Sequence, residues 1–198
     1  NAAVRGDKAV LESLLKEGTI DCNAPALLDE ETVEESAAGG GGRAALHGTP
    51  SSLALQAAVA NGHEECVSFL VESGHIDLDA ADAHGDTALI AAARFGRSDA
   101  MRLLLFPPFG DGAKVDLCND DGLTGFHAAC RRGQLECVQQ LLEAGCDFTR
   151  RDPQGRTGRA IAAEHGHMEV AETLREWSTS NMKDSSGRTA RDRAAARR

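Results

Sequence analysis

Apolar positions recur along the chain at fixed distances from five glycines, the reference glycines, which are Gly6, Gly62, Gly96, Gly133 and Gly166. Successive reference glycines are 56, 34, 37 and 33 residues apart. The fourth, fifth and eighth residues after each one are apolar, and these offsets lie on one face of a helix. A period near 33 residues is typical of a stacked array rather than of a single closed core. The apolar positions are Val10, Leu11, Leu14; Cys66, Val67, Leu70; Ala100, Met101, Leu104; Cys137, Val138, Leu141; Val170, Ala171 and Leu174.

A shorter, alanine-rich helix is predicted before the reference glycine in the last three complete copies. Each of these copies opens with Asp or Asn, a glycine three residues later and a threonine two residues after that. Asx and glycine favour a tight turn, and threonine suits a helix N-cap. A further glycine twelve residues after the reference glycine, as at Gly18, Gly74 and Gly145, is expected to end the second helix. The openings are Asp82, Gly85, Thr87; Asn119, Gly122, Thr124; Asp152, Gly155 and Thr157.

The unit of turn, helix, turn and helix resembles the ankyrin repeat over nearly the whole chain. The best match to the family signature runs Thr124-Gly-Phe-His127-Ala-Ala-Cys-Arg-Arg-Gly133-Gln. The resemblance implies an all-α fold, an ankyrin-repeat solenoid of stacked helix-turn-helix units with short β-turn or hairpin fingers. The proline that usually follows the threonine is absent throughout. Arg159 replaces the usual leucine in the fifth copy, so we expect that copy to pack less well.

The chain 1–198 is interpreted as one array with two interruptions. Asp29, Glu30, Glu31, Glu34 and Glu35 precede four glycines in the first, which has the composition of a flexible loop, with partner binding as the alternative. In the second, Phe106 and Phe109 flank two prolines and either pack on the array edge or face a partner. The predicted boundaries are repeat 1 at about 1–23, insertion 24–52, repeat 2 at 53–79, repeat 3 at 80–117, repeat 4 at 118–149, repeat 5 at 150–178 and a partial capping repeat at 184–198.

Composition and charge narrow the class of protein. The chain has 41% apolar and 26% charged residues, as folded chains do, and contains no apolar run long enough to insert into a membrane. Its net charge of −10 argues against nonspecific binding to nucleic acid, although residues 183–198 are basic. Six irregularly spaced cysteines indicate reduced thiols and a cytoplasmic or nuclear location. Because the first residue is Asn1, we expect a piece of a longer or processed chain.

No motif of catalytic chemistry, phosphate binding or cofactor binding is present, so we expect no enzyme activity, cofactor or metal. The ankyrin resemblance implies structural roles for His63, His127 and His167. Cys66 and Cys137 occupy apolar positions of the repeat, which predicts buried side chains. The context of Asn23 resembles that of ankyrin-repeat asparagines hydroxylated by a cytosolic oxygenase, with a turn-forming role as the alternative.

The resemblance also implies a concave partner-binding surface made of finger tips and first helices. In repeats 3 to 5 this surface carries arginines beside Phe95 and Leu123, a composition typical of binding hot spots. We therefore predict that it holds an acidic peptide or acidic protein face. The alternative is that these arginines are solvated or paired with acids such as Asp120 and Glu164. The predicted contact residues are His84, Asp86, Arg94, Phe95, Asp121, Leu123, Arg131, Arg132, Arg151, Arg156, Glu164 and His165.

The function expected from these patterns is a noncatalytic protein-protein interaction module acting as adaptor, scaffold or inhibitor. The alternative is a regulatory or targeting domain of a larger enzyme or channel. We expect a monomer whose partner is a protein or peptide, without membrane insertion. A nucleic-acid role through residues 183–198 ranks last, because the same segment also fits a capping helix.

Overall fold

The computed structural model describes residues 5–6, 8, 50–74, 76–108 and 111–181, and within them the chain forms eight helices with no extended strand. The first helices of repeats 2 to 5 have odd numbers here and the second helices even numbers. In chain order they are α1 (Pro50–Asn61), α2 (Glu64–Glu72), α3 (Ala88–Phe95), α4 (Ser98–Leu105), α5 (Gly125–Arg132), α6 (Leu135–Glu143), α7 (Gly158–Glu164) and α8 (Met168–Asn181).

The helices form two layers, which confirms the all-α solenoid. Each odd-numbered helix packs against its even-numbered partner and against the odd-numbered helix of the next repeat, and the even-numbered helices contact one another in the same order. The apolar stripe faces the seam between the layers, where Val67, Met101 and Val138 are fully buried. One continuous core therefore runs through the described repeats, as expected when each repeat contacts only its neighbours.

Threonine caps the first helix in repeats 3, 4 and 5, as the sequence predicts. The hydroxyl oxygens of Thr87, Thr124 and Thr157 accept hydrogen bonds from backbone N–H groups three residues later, at 3.3 to 3.4 Å. Each threonine is in an extended conformation, the geometry an N-cap requires. These caps fix where each first helix leaves its finger.

The reference glycines are needed for two reasons, and Gly133 shows both. Its φ of +70° lies in the left-handed region, where a Cβ is unfavourable. A Cβ there would also overlap the imidazole ring of His167, which lies just before α8 in the next repeat. Gly166 follows α7 and shares the positive φ, at +79°, but a Cβ added there would lie more than 4 Å from every described atom outside its own chain neighbours.

Two details differ from, or add to, the sequence-based expectations. Helix α1 begins at Pro50, so residues 50–52 belong to a helix, although the sequence predicted them to lie in the insertion. Proline fits the first turn of a helix because the N–H that it lacks would be unpaired there. Phe106 ends α4 with 54% of its surface exposed, so it is not packed into the core. The rest of the predicted insertion, Phe109, Asn23 and the predicted cap at 184–198 lie outside the described residues.

Candidate protein-interaction groove

The fingers that precede α3, α5 and α7 are tight turns closed by the same hydrogen bonds. In each, the Asx residue accepts the N–H of the finger glycine through its backbone oxygen, and its side-chain oxygen accepts one or two N–H groups further along the turn. An isolated antiparallel bridge closes the base of each finger. Asp82, Asn119 and Asp152 thus build three equivalent fingers.

Neighbouring fingers are tied together by polar contacts, some of which are buried. The Asn119 side-chain amide donates to Asp86 Oδ1 at 2.8 Å, and the backbone N–H of Asp120 donates to the His84 carbonyl at 3.1 Å. The Gln56 amide of α1 donates to the carbonyls of Ala80 and Asp86, both at 2.9 Å. Because the side chains of Gln56, Asp86 and Asn119 are buried and paired, the spacing between fingers is fixed.

A continuous groove, called the finger groove below, lies between the finger tips and the first helices of repeats 3 to 5. It has two adjoining halves of about 220 and 360 Å³, which share Asp121, Leu123 and Arg131. The smaller half lies between repeats 3 and 4, and its other lining residues are Ile90, Arg94, Asn119, Ala128 and Arg132. The larger half lies between repeats 4 and 5, and its other lining residues are His127, Gln154, Arg156, Ile161, Glu164 and His165.

The finger groove brings together eight of the twelve predicted contact residues: Arg94, Asp121, Leu123, Arg131, Arg132, Arg156, Glu164 and His165. His84 and Arg151 are exposed on fingers outside its lining, and Phe95 is half exposed at the end of α3. Sequence reasoning missed the groove floor, which includes Ile90 and Ile161. The helical period could have found these residues, since both follow a threonine N-cap within four positions.

Asp86 is the predicted contact residue whose position differs most from expectation. It is 4% exposed, beneath the groove surface, and its carboxylate contacts the Arg94 guanidinium at 2.5 Å as well as the Asn119 amide. A partner therefore cannot contact Asp86 without displacing these groups. Its role in the free chain is to orient Arg94, whose side chain is 37% exposed.

Arg156 is paired with neighbouring acids, which is the alternative that the sequence left open for the arginines. Its guanidinium contacts Asp152 Oδ2 at 2.7 Å and Glu164 Oε2 at 2.8 Å. Burial by itself would raise the pKa of Asp152, but hydrogen bonds from the Arg156 backbone and side chain outweigh it and lower that pKa. Asp152 therefore stays ionised, and the charge of Arg156 is offset within the fifth repeat.

Arg131 and Arg132 have a different environment at the end of α5. Both are exposed, and within the described part of the chain neither guanidinium has an ion-pair partner. The Arg131 carbonyl accepts a hydrogen bond from His167 Nε2 at 3.2 Å, which holds the end of the helix in place. The available positive charge of the finger groove is thus concentrated at these two side chains.

His127 has a structural role in the groove wall. Its Nδ1 accepts from the Thr124 N–H, and its Nε2 donates to the Arg150 carbonyl at 3.1 Å, so the ring is a neutral imidazole held at both nitrogens. Burial lowers its pKa, which favours the same neutral form. His127 therefore fixes the start of α5 against the fifth repeat.

Four of the described cysteines are buried, and the described residues form no metal-binding cluster. Burial raises the pKa of Cys130, and it raises those of Cys137 and Cys146 to about 11 and about 12, so these three thiols are protonated at neutral pH. Across the described ranges, no group of His, Cys, Asp and Glu side chains has an arrangement suited to a metal ion. None of the described helices combines the length and apolarity needed to cross a membrane.

The helices, fingers and groove define an all-helical repeat array with a groove between its fingers and first helices. The chain belongs to the ankyrin-repeat family, because the family model described as ankyrin repeats (3 copies) matches residues 1–117 and 108–185. Repeats of this family mediate protein-protein interactions.

Relatives of the chain are much longer proteins with diverse roles. It is 32% identical over 123 residues to ankyrin repeat and SOCS box protein 11 of Homo sapiens, covering 62% of this chain and 36% of that protein. It is 30% identical to tyrosine-protein kinase HTK16 of Hydra vulgaris, over 60% of this chain and 15% of the kinase. A homologue of transient receptor potential cation channel subfamily A member 1 from Caenorhabditis elegans is 28% identical, over 62% of this chain and 10% of the channel homologue. The matched region thus covers at most 36% of the length of these relatives.

Proposed function

We propose that the chain is a noncatalytic interaction module, acting as adaptor, scaffold or inhibitor, that binds an acidic peptide or acidic protein face in the finger groove. The observation that carries this proposal is the pair of exposed guanidinium groups of Arg131 and Arg132 in the groove, which have no ion-pair partner among the described residues. Guanidinium groups recognise carboxylates through paired, charge-assisted hydrogen bonds. A free guanidinium makes such bonds without first breaking an internal ion pair.

The shape of the groove supports an extended ligand rather than a small molecule. The two halves adjoin across Asp121, Leu123 and Arg131, and Leu123 provides a half-buried apolar contact between them. Buried hydrogen bonds hold the fingers in place, so little conformational entropy is lost when a ligand binds. Phe95, half exposed beside Arg94, extends this surface with an aromatic group typical of binding hot spots.

The test is the charge reversal Arg131→Glu with Arg132→Glu in the whole chain. Arg102→Glu with Arg175→Glu is a matched control, because it changes the charge equally on exposed residues of the second helices α4 and α8. Partners recovered with the wild-type chain are purified and their affinities measured with both variants. We expect binding at least about tenfold weaker for the groove variant and nearly unchanged for the control. Equal affinity for the wild-type chain and the groove variant would place the binding surface elsewhere.

A regulatory or targeting role within a larger enzyme or channel is the second candidate. It is favoured by the small share of a kinase and of a cation-channel homologue that the matches cover. In that case the acidic partner lies in the same polypeptide or assembly. The full-length sequence distinguishes the two roles. For either one, we propose a cytoplasmic or nuclear location, on the basis of the irregularly spaced cysteines.

A further inference from the structure

The two halves of the finger groove differ in charge. In the smaller half, Arg131 and Arg132 have no ion-pair partner within the described ranges, and Arg94 is neutralised by the buried Asp86 beneath it. Asp121 lies on the boundary that both halves share. The half between repeats 3 and 4 therefore carries an excess of positive charge.

Beyond the shared boundary, where Arg131 and Asp121 offset each other, the larger half has one carboxylate in excess, because Asp152 and Glu164 both face Arg156. Apart from Arg131 on the shared boundary, its arginine is Arg156, which is bonded to two carboxylates, those of Asp152 and Glu164. Glu164 is 56% exposed, so it can still accept a hydrogen bond from a ligand, and Asp121 is exposed at the boundary. The half between repeats 4 and 5 therefore favours a cation or a hydrogen-bond donor.

The distance between the halves is set by the stacking of the first helices. Packed helices lie about 8–10 Å apart, and extended chain advances about 3.3 Å per residue. Consecutive first helices α3, α5 and α7 are in direct contact, so the two half-grooves are one helix spacing apart. Charged groups that occupy both halves would be about three residues apart on an extended ligand, with Leu123 facing the residues between them.

We infer that the ligand of the finger groove is an extended peptide segment with an acidic residue near one end and a basic residue near the other. Its acidic residue binds Arg131 and Arg132, its basic residue lies about three positions away beside Glu164 and Asp121, and an apolar side chain between them contacts Leu123. This inference rests on the proposed function, which requires only the acidic residue. It adds a second charge of opposite sign and so fixes the orientation of the ligand along the array.

The experiment compares three synthetic peptides of about nine residues, each with a fluorophore and a central leucine. Two carry a pair of glutamates on one side of the leucine and a pair of lysines on the other, in the two possible chain orders. The third has glutamates on both sides. Affinity for the whole chain is measured by fluorescence anisotropy at low ionic strength, where screening is weak. We expect one peptide of mixed charge to bind at least about fivefold more tightly than the acidic peptide.

The double variant Asp121→Asn with Glu164→Gln is expected to abolish this preference, because it removes the acids that would hold the basic residue, while Arg156 keeps its ion pair with Asp152. Glu143→Gln with Glu172→Gln is the matched control, since both residues are exposed on the second helices α6 and α8. It should leave the preference for the mixed-charge peptide unchanged.

The outcomes separate this inference from the proposed function. If the acidic peptide binds wild-type chain as tightly as the others, and Arg131→Glu with Arg132→Glu abolishes its binding, the opposite-charge ligand is wrong but the acidic-ligand groove stands. If no peptide binds, or if the arginine variant binds all three as the wild-type chain does, both are overturned.

Discussion

Repeats 4 and 5 have the same order of turn and helices, but their first helices, α5 and α7, bury different numbers of residues. Helix α5 buries six residues, including Phe126 and His127, and has a capping box at Thr124. Helix α7 buries three, because Arg159, Ala160 and Ala163, at the positions of Phe126, His127 and Cys130, are exposed. The expectation that the fifth copy packs less well agrees with this difference. Helix α5 packs between α3 and α7, whereas no described first helix follows α7, so exposed residues are tolerated on that face of the fifth repeat.

The fourth repeat also dictates a residue of the fifth. A Cβ at Gly158 would overlap the Phe126 ring and contact Cys130 Sγ, so the ring packs directly on the backbone that starts α7. Gly158 stands where the family usually has proline. The Phe126 ring therefore occupies the space that a proline ring at position 158 would need.

The strongest test of the comparison is to truncate the equivalent residues Phe126 and Arg159. Phe126→Ala should lower the free energy of unfolding by about 3–5 kcal/mol, because it leaves a cavity in the core. Arg159→Ala should change it by no more than about 0.5 kcal/mol, because the side chain is exposed. Urea unfolding followed by circular dichroism measures both. Equal losses would mean that the two repeats pack alike.

A smaller effect is expected at the reference glycines of the same two repeats. Gly133→Ala and Gly166→Ala both place a Cβ at positive φ, which costs about 1–2 kcal/mol. Gly133→Ala should cost more, because its Cβ also overlaps the His167 ring, whereas no described side chain lies near a Cβ at Gly166. Thermal unfolding of the two variants is the measurement. If Gly166→Ala is the more damaging, the contact between Gly133 and His167 does not contribute to stability.

The smallest effect expected is a pH dependence that arises in repeat 4 from His127, whose place in repeat 5 is taken by Ala160. Burial lowers the His127 pKa, so the unfolded chain binds a proton more readily than the folded chain just below the ordinary value of about 6.5. Stability should therefore fall as the pH drops through that value, by less than about 1.4 kcal/mol per pH unit. The slope is measured by urea unfolding at a series of pH values.

His127→Ala is the control for this pH dependence, because it gives repeat 4 the residue that repeat 5 already has at Ala160. It should lower stability at every pH by removing the hydrogen bonds to Thr124 and Arg150. It should also flatten the slope near the ordinary histidine pKa of about 6.5. An unchanged slope would assign the pH dependence to other groups.

Much of the fold was predictable because its signals are local. Positive φ at Gly133, capping by Thr124 and the turn at Asn119 depend on residues a few positions apart, so they can be found without knowing the neighbours. The candidate site was less predictable. Its residues could be assigned to the finger tips and first helices. Whether each charged side chain has an ion-pair partner, however, depends on contacts between repeats and between finger and helix. Asp86, for example, occupies a finger position in the sequence and is buried beneath Arg94 in the structure.

The repeat, its register and the position of the arginines within it could be predicted from the chain alone, because period and turn chemistry depend on neighbouring residues. Which of these arginines form internal ion pairs depends on packing. Arg94 and Arg156 are held by buried carboxylates, while Arg131 and Arg132 have none within reach among the described residues. The physical reason is that Arg94 and Arg156 are paired by packing, which brings each guanidinium to a carboxylate that is shielded from water.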